Sequence, residues 1–354
     1  MAPHHEFARG ATRRQFLAAA AAAGASALLP YGAAAQAPQK PYRIDTHCHF
    51  FPPAYLEPLA EWGRRSGFGG LQAPQRDWSI AKALDVMDHS AVATGVLSIS
   101  TPGVWFGELH EARKVARLCN DFGAQMMRDH PGRFGLFAAM PMPDVEGTLH
   151  EIEYALDTLK ADGIGLMTSY ADKWPGDPAF APVFEELNRR QAVVYFHPLA
   201  PACCGALVPG LTGSALEYPY DTGRAAVSLL INGSFARYRG IKWLFSHAGG
   251  AIPALAGRIG NVVRARKDVA QIAPDGVEQE LQRLHYDTAN SAYAPTMAAL
   301  MSFVPVGQIL FGTDYPYFGI AANVEGMDKL GLSAADRQAI DRGNALRLLP
   351  RLSS

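Results

Sequence analysis

The chain has 354 residues, of which 49% are apolar, enough for a sizeable core in one large domain or two ordinary ones. Its 32 basic and 33 acidic residues leave a net charge of −1 at neutral pH. The chain therefore lacks the basic excess expected of a nucleic-acid-binding protein or of a protein held on an anionic membrane surface.

The N-terminal segment has the order of an export signal. In TRRQFLAAAAAAGASALLP, Arg13 and Arg14 precede an apolar run, as the charged and hydrophobic regions of a signal peptide do. Paired arginines are typical of the twin-arginine signal, and the small residues that follow fit cleavage before Gln36. We therefore expect residues 1–37 to form a twin-arginine-type signal and the mature protein to be periplasmic or extracellular.

The alternative interpretation of this segment is an uncleaved, Ala-rich membrane anchor. Its apolar run, Phe16 to Leu29, is shorter than the ~20 residues that a spanning helix needs. No other segment is long and apolar enough to span, so we expect no stable membrane span after the signal is removed.

After the signal, short strand-like apolar runs alternate with helix-like stretches over residues 40–354. In chain order the runs are YRIDTH, ATGVLSIS, RFGLFAAMP, GIGLMTS, AVVYFHP, IKWLFSHAGG, LHYDTAN and QILFGTDYP. Eight such units predict one α/β domain, a closed (β/α)8 TIM barrel, with its active site at the C-terminal ends of the strands. A Rossmann-type open sheet is disfavoured because no G-x-G-x-x-G opens a helix after the first run.

Several strand ends carry residues suited to a metal ion. His47 and His49 are spaced so that both point to the same side of a strand. His197 lies at the end of the fifth run and Asp314 at the end of the eighth. Three imidazoles and a carboxylate suit one catalytic divalent ion, zinc first and manganese as the alternative. His247, near the end of the sixth run, is then a candidate proton carrier.

The same strand ends carry a family resemblance. IDTHCHF, VVYFHP, LFSHAGG and LFGTDYP resemble the amidohydrolase superfamily, over essentially all of residues 42–350. SHAGG, GTDYP and the closing GNALRLL are most similar to its aminocarboxymuconate-semialdehyde decarboxylase-like branch, which also holds aromatic-acid decarboxylases and some hydrolases. The resemblance implies the metal ligands His47, His49, His197 and Asp314.

The resemblance also bears on catalysis and assembly. It implies that His247 and Asp314 are catalytic. Arg258 matches an arginine that reaches the substrate carboxylate from a neighbouring subunit in the semialdehyde decarboxylases, which implies a homo-oligomer such as a dimer. The fourth run, GIGLMTSY, lacks the carboxylated lysine of two-metal members, so a single ion is favoured.

Side chains in the loops after the strands predict a small acid as the ligand. Trp105 and Phe106 offer flat apolar walls, and Tyr170 and Tyr293 follow two further strands. Arg224 is placed to pair with a carboxylate. Together these residues predict a pocket for a small aromatic or conjugated acid.

The favoured function is a metal-dependent, non-oxidative decarboxylase of a small hydroxyaromatic or conjugated carboxylic acid. In this reaction Asp314, or His247 through a water, delivers a proton to the ring carbon and carbon dioxide leaves. The alternative is a hydrolase of an amide, ester, lactone or C–C bond, since a metal-activated water with Asp314 as base would suffice. A metal carrier without turnover is a third hypothesis, against which the placement of His247 and Asp314 argues.

Overall fold

The structure, a computed structural model, describes residues 42–67, 69–171, 173–204 and 207–353, so the predicted signal at 1–37 lies outside the described residues. Eight parallel strands pair in chain order. Each of the eight predicted runs overlaps one strand, and all but the first run are longer than their strands. The strands are β1 Arg43–His49, β2 Val92–Ser98, β3 Phe134–Ala139, β4 Gly163–Met167, β5 Val193–His197, β6 Lys242–Phe245, β7 His285–Asp287 and β8 Ile309–Leu310.

Helices connect the strands and cover the outside of the sheet. They are α1 Pro53–Ser66, α2 Ala73–Arg76, α3 Ile80–His89, α4 Leu109–Asp129, α5 Val145–Glu153, α6 Ala181–Arg189, α7 Gly213–Ile231, α8 Ser234–Arg237, α9 Ile252–Arg264, α10 Val269–Ile272, α11 Val277–Gln282, α12 Ala294–Phe303, α13 Ile320–Asp328, α14 Ala334–Gln338 and α15 Asn344–Leu348. Short π-helical segments, Tyr154–Thr158 and Ala339–Gly343, follow α5 and α14. Within the described ranges, no helix is both long and apolar enough to cross a membrane.

The chain after β8 closes the sheet against β1. The Thr46 N–H donates to the carbonyl oxygen of Phe311 at 2.9 Å, and the His49 N–H donates to that of Tyr315 at 2.7 Å. These bonds continue a parallel ladder beyond the two residues of β8. The predicted (β/α)8 barrel is confirmed, and its closure holds the segment after β8 beside the end of β1.

Large apolar side chains fill the interior of the barrel. One cluster of buried residues draws members from six of the eight strands: Ile44, Val96, Phe137, Tyr195, Leu244 and Leu310. The rings of Phe137 and Tyr195 stack with centroids 5.1 Å apart. This packing makes the barrel a solid core rather than a pore, so polar chemistry is left to the ends of the strands.

Candidate metal centre

Four side chains predicted as metal ligands come together at the C-terminal ends of the strands. His47, His49, His197 and Asp314 are all buried, and one ligand atom of each lies within 4.8 Å of the others. The Nε2 atoms of His47 and His49 are 3.1 Å apart, and Asp314 Oδ1 lies 3.0 Å from His49 Nε2. Three imidazole nitrogens and a carboxylate at this spacing suit one divalent cation.

A bulge in β1 aims its two histidines into the site. β1 pairs with β2 at Asp45–Gly95 and again at Cys48–Leu97, so β1 takes three steps where β2 takes two. The extra residue shifts the alternation of side chains along β1 by one position, so residues on either side of it that would point in opposite directions point the same way. Ile44 therefore packs in the barrel interior and both histidines still face the mouth, while the Cys48 thiol turns away and donates to the carbonyl oxygen of Val96 at 3.3 Å.

Each β1 histidine donates a hydrogen bond from Nδ1, which leaves its Nε2 available to the ion. His47 Nδ1 donates to Asp287 Oδ2 at 2.9 Å, and His49 Nδ1 donates to the carbonyl oxygen of Ser98 at 3.1 Å. Such acceptors fix the tautomer and the ring orientation of a metal-binding histidine. The residues present therefore fit a divalent ion in both donor type and orientation.

Asp287 is a site residue that the sequence analysis missed. Besides holding His47, its Oδ1 accepts the backbone N–H of His247 at 2.9 Å and that of Ala289 at 3.0 Å. One buried carboxylate thus holds both a candidate metal ligand and the backbone of His247 in place. The signal was present, because Asp287 is an acidic residue at the end of the seventh strand.

Burial and the two carboxylates set the charges in the site. Burial opposes protonation of His47, but Asp287 and Asp314 outweigh it and raise its pKa to about 10. Burial lowers the pKa of His49 and of His197. For Asp314, burial favours the neutral acid, yet the protonated His47 and the other histidines beside it hold its pKa well below the usual range. Before an ion binds, His47 is the protonated imidazole at neutral pH.

His247 stands beside the four ligands with one nitrogen free. Its Nδ1 donates to the carbonyl oxygen of Ala289 at 2.8 Å, and its Nε2 lies 3.9 Å from Asp314 Oδ2. Burial lowers the pKa of His247, so the ring is neutral with an unprotonated Nε2. This arrangement suits a group that accepts and returns a proton.

The centre opens into a cavity of about 550 Å³, to whose lining His197, His247 and Asp314 contribute. Apolar side chains form much of the remaining wall: Leu59, Trp62, Leu71, Pro74, Leu211 and Phe318. Uncharged polar side chains complete it, among them Gln75, Ser100, Thr101, Tyr218 and Tyr317. A cavity of this size and composition fits a small ring compound.

The aromatic residues predicted to bind substrate lie outside this lining. Phe106 is buried and packs its ring against Tyr55 and Trp62, with centroids 6.1 and 6.4 Å away. Tyr170 is buried, and its hydroxyl oxygen accepts the N–H of Met167 at 2.7 Å. Trp105, near Phe106 in the loop after β2, is half-buried.

The other residues predicted to contact substrate, Arg224, Arg258 and Tyr293, are also not among the described residues that line the cavity. Arg224 lies in α7 with its Nη1 3.8 Å from the buried carboxylate of Asp221. Arg258 is exposed on α9. Tyr293 is 60% exposed, and its hydroxyl donates to Oδ1 of Asn290, which does line the cavity. A substrate role for any of these residues stays a prediction.

Sequence reasoning instead missed the uncharged polar residues of the wall. Tyr317 follows Asp314 by three positions, so the eighth strand end did carry a signal for it. Gln75 and Tyr218 belong to α2 and α7, and neither lies at a strand end. Their approach to the centre depends on how the loops after β1 and β5 fold over the mouth.

Residues 44–351 match the family model described as amidohydrolase. The chain belongs to the amidohydrolase family. This amidohydrolase is 33% identical over 317 residues to the 6-methylsalicylic acid decarboxylase of Penicillium expansum, covering 88% of this chain and 97% of the relative. It is 34% identical over 323 residues to the 6-methylsalicylic acid decarboxylase acuB of Aspergillus aculeatus, covering 88% and 96%.

Solved structures agree with the fold. A crystal structure of an amidohydrolase II matches with a TM-score of 0.79 and 26% identity, over 87% of this amidohydrolase and 100% of that chain. A dihydroxybenzoic acid decarboxylase from Polaromonas sp., solved with bound manganese and 2-nitroresorcinol, matches with a TM-score of 0.75 and 23% identity, over 87% and 96%. The second likeness supports the barrel alone.

Proposed function

We propose that this amidohydrolase is a metal-dependent, non-oxidative decarboxylase of a small hydroxyaromatic acid. The proposal rests on one observation: the four candidate ligands and His247 lie together at the mouth of a cavity sized for one ring. Relatives that match 88% of the chain are named 6-methylsalicylic acid decarboxylases, which supports a carboxylate beside a ring hydroxyl as the reacting unit.

One divalent ion would be held by His47, His49, His197 and Asp314. We propose zinc, which this donor set suits, with manganese as the alternative because it is named with the Polaromonas structure. When bound, the ion would hold oxygens of the substrate and stabilise negative charge that develops on them. Metal analysis of protein purified without added metal identifies the ion.

His247 and Asp314 would transfer the proton that the ring carbon needs. The ring carbon that bears the carboxylate gains a proton, its bond to the carboxylate carbon breaks with the electron pair left on the ring, and carbon dioxide departs. His247 has its free Nε2 at the cavity, and the Asp314 carboxylate lies 3.9 Å from that atom. We assign delivery of the proton to Asp314, or to His247 through a water; because both groups are unprotonated at rest, the delivering group first accepts this proton from the ring hydroxyl of the substrate or from solvent.

A panel of hydroxybenzoates tests this function. Metal-loaded protein should release carbon dioxide and the matching phenol from at least the ortho-hydroxybenzoates, while metal-depleted protein should release neither. Hydrolysis of amide, ester or lactone substrates without carbon dioxide release would support the hydrolase alternative instead. Failure of both metals to support any decarboxylation would contradict the proposal.

We also propose that residues 1–37 direct export to the periplasm or the exterior. The paired Arg13 and Arg14 before an apolar run support this. Fused to a reporter, residues 1–37 should carry it out of the cytoplasm, and the double variant Arg13→Lys, Arg14→Lys should retain it inside. Equal export of both fusions would contradict the proposal.

We propose a homo-oligomer, such as a dimer, as the working form. The support is the match of Arg258 to an arginine that acts between subunits, together with its exposure on α9. Light scattering of the purified protein should give at least twice the chain mass. A monomer at assay concentration with full activity would contradict this.

A further inference from the structure

We infer that Tyr317, oriented by Gln75, donates a hydrogen bond to an oxygen substituent on the ring of the substrate. Both side chains line the cavity. The ring centroid of Tyr317 lies 5.8 Å from that of His49, a candidate ligand, so Tyr317 is close enough to touch a ring held at the centre. The inference rests on the proposed function and names a group that its substrate would carry.

The side-chain amide of Gln75 has one orientation. Its Oε1 accepts the backbone N–H of Gln72 at 2.7 Å, and a backbone N–H only donates, so the amide oxygen has to face Gln72. The amide nitrogen Nε2 then donates to the hydroxyl oxygen of Tyr317 at 3.0 Å. Gln75 is only 6% exposed, so little water competes for either end of the amide.

The hydroxyl proton of Tyr317 is left for a ligand. Because the hydroxyl oxygen accepts from Gln75, its own proton points to a different acceptor. Hydrogen bonds from Gln75 and Ser100 favour the ionised oxygen, but burial outweighs them and raises the pKa of Tyr317 to about 12. The hydroxyl therefore keeps its proton at neutral pH. With both lone pairs of its oxygen accepting, Tyr317 acts towards the cavity as a donor.

The surroundings of this donor are largely apolar. The ring of Tyr317 meets that of Phe51 with centroids 6.1 Å apart, and Leu71 and Pro74 line the cavity beside Gln75. Water serves the donor while the cavity is open, but a ring that displaces this water has to supply the acceptor itself. A methyl group cannot accept, whereas a hydroxyl or methoxy oxygen does. Tyr317 should therefore favour a ring that carries an oxygen at the position facing it.

Salicylates that carry either a methyl or a hydroxyl group at the same free ring position isolate this contact, because the two groups are similar in size. For metal-loaded protein we expect Tyr317→Phe to lower the hydroxyl-to-methyl ratio of kcat/KM about 10-fold at one ring position, the scale of a lost neutral hydrogen bond. Tyr220→Phe, the same change at a 50% exposed position outside the described lining, should leave the ratio unchanged. An unchanged ratio in Tyr317→Phe at every free position would overturn the inference.

Gln75→Glu tests the direction of the hydrogen bond. The introduced carboxylate has the same shape and still accepts the N–H of Gln72, but its second oxygen accepts from Tyr317 and draws the proton away from the cavity. Its charge acts on the methyl and hydroxyl compounds alike. The ratio should fall about as far as in Tyr317→Phe, and the double variant should fall no further. A ratio kept by Gln75→Glu would overturn the assigned direction, since the substrate would then donate to Tyr317.

Binding measurements keep the two proposals distinguishable. If no compound is decarboxylated, the proposed function fails. Calorimetric binding of the same methyl and hydroxyl pairs to metal-loaded protein, with and without Tyr317→Phe, then still tests the contact. A loss of affinity confined to the hydroxyl compound of one pair supports the inference, and any other result overturns it.

Discussion

At the scale of single residues, Asp287 links the candidate metal ligand His47 to the turn that carries His247. It accepts from His47 Nδ1 and from the backbone N–H of His247. Asp287→Asn removes the charge that orients the His47 ring, so we expect metal affinity to fall about 10- to 100-fold. Competition with a chromogenic chelator measures it. Asp129→Asn, the same change at an exposed position in α4, should keep the affinity of the unchanged protein.

Substitution of His247 should reduce turnover without reducing metal binding. It lies outside the ligand group, so His247→Asn is expected to keep a full complement of metal and to lower kcat by about 100- to 10,000-fold, the range of a lost general acid or base. His49→Ala, which removes a ligand, should lose the metal as well. Full activity in His247→Asn would show that the proton is carried elsewhere.

Metal uptake should release a proton. His47, with a pKa raised to about 10, is protonated at neutral pH before the ion binds, whereas burial leaves His49 and His197 neutral. The ion needs an unprotonated Nε2, so about one proton leaves per ion and affinity rises as the pH approaches the pKa of His47. Calorimetry in buffers of different ionisation enthalpy counts the proton. Uptake without proton release at neutral pH would contradict the assigned charge of His47.

At the scale of elements, the turn between β6 and α9 depends on its glycines. The φ of Gly250 is +57°, and a Cβ there would lie 2.4 Å from the carbonyl oxygen of Pro219 in α7. Gly250→Ala therefore pushes α7, which carries Tyr218 of the cavity wall. We expect a loss of about 1–3 kcal/mol in the free energy of unfolding, together with a higher KM.

Gly257 offers a control for that substitution within α9. It is exposed, and a Cβ there would meet no atom within 4 Å. Gly257→Ala should stabilise the protein by about 0.5–1 kcal/mol because alanine loses less conformational freedom in a helix. Urea unfolding of the metal-loaded variants measures both changes. If Gly250→Ala were as stable as Gly257→Ala, the contact with α7 would not constrain the turn.

At the scale of the whole molecule, the metal centre ties together distant parts of the chain. His49 and Asp314 are 265 positions apart in sequence and their side chains are 3.0 Å apart. An ion bound only by the folded barrel stabilises it, by about 4 kcal/mol when the free ion exceeds its Kd a thousandfold. Thermal unfolding with and without a chelator should show this as a lower Tm after metal removal. The His47→Ala variant should show no such shift.

The alternation of eight apolar runs with helical stretches was enough to predict the barrel, because burial on both faces of a parallel strand leaves a continuous apolar run in the sequence. Strand ends were enough to predict which residues share the mouth. The lengths of the strands were less predictable. β8 contains only Ile309–Leu310, since the following residues pair irregularly with the end of β1.

By itself, then, the sequence determined the barrel, the family and the four candidate ligands, because these depend on residue type and on order along the chain. Only the tertiary structure decided where other side chains point. The bulge in β1 depends on pairing with β2, and Asp287 finds His47 only when β7 and β1 share one mouth. Phe106 and Arg224 have suitable chemistry but point into the core and towards Asp221. Packing between distant elements sets such directions, so no local pattern records them.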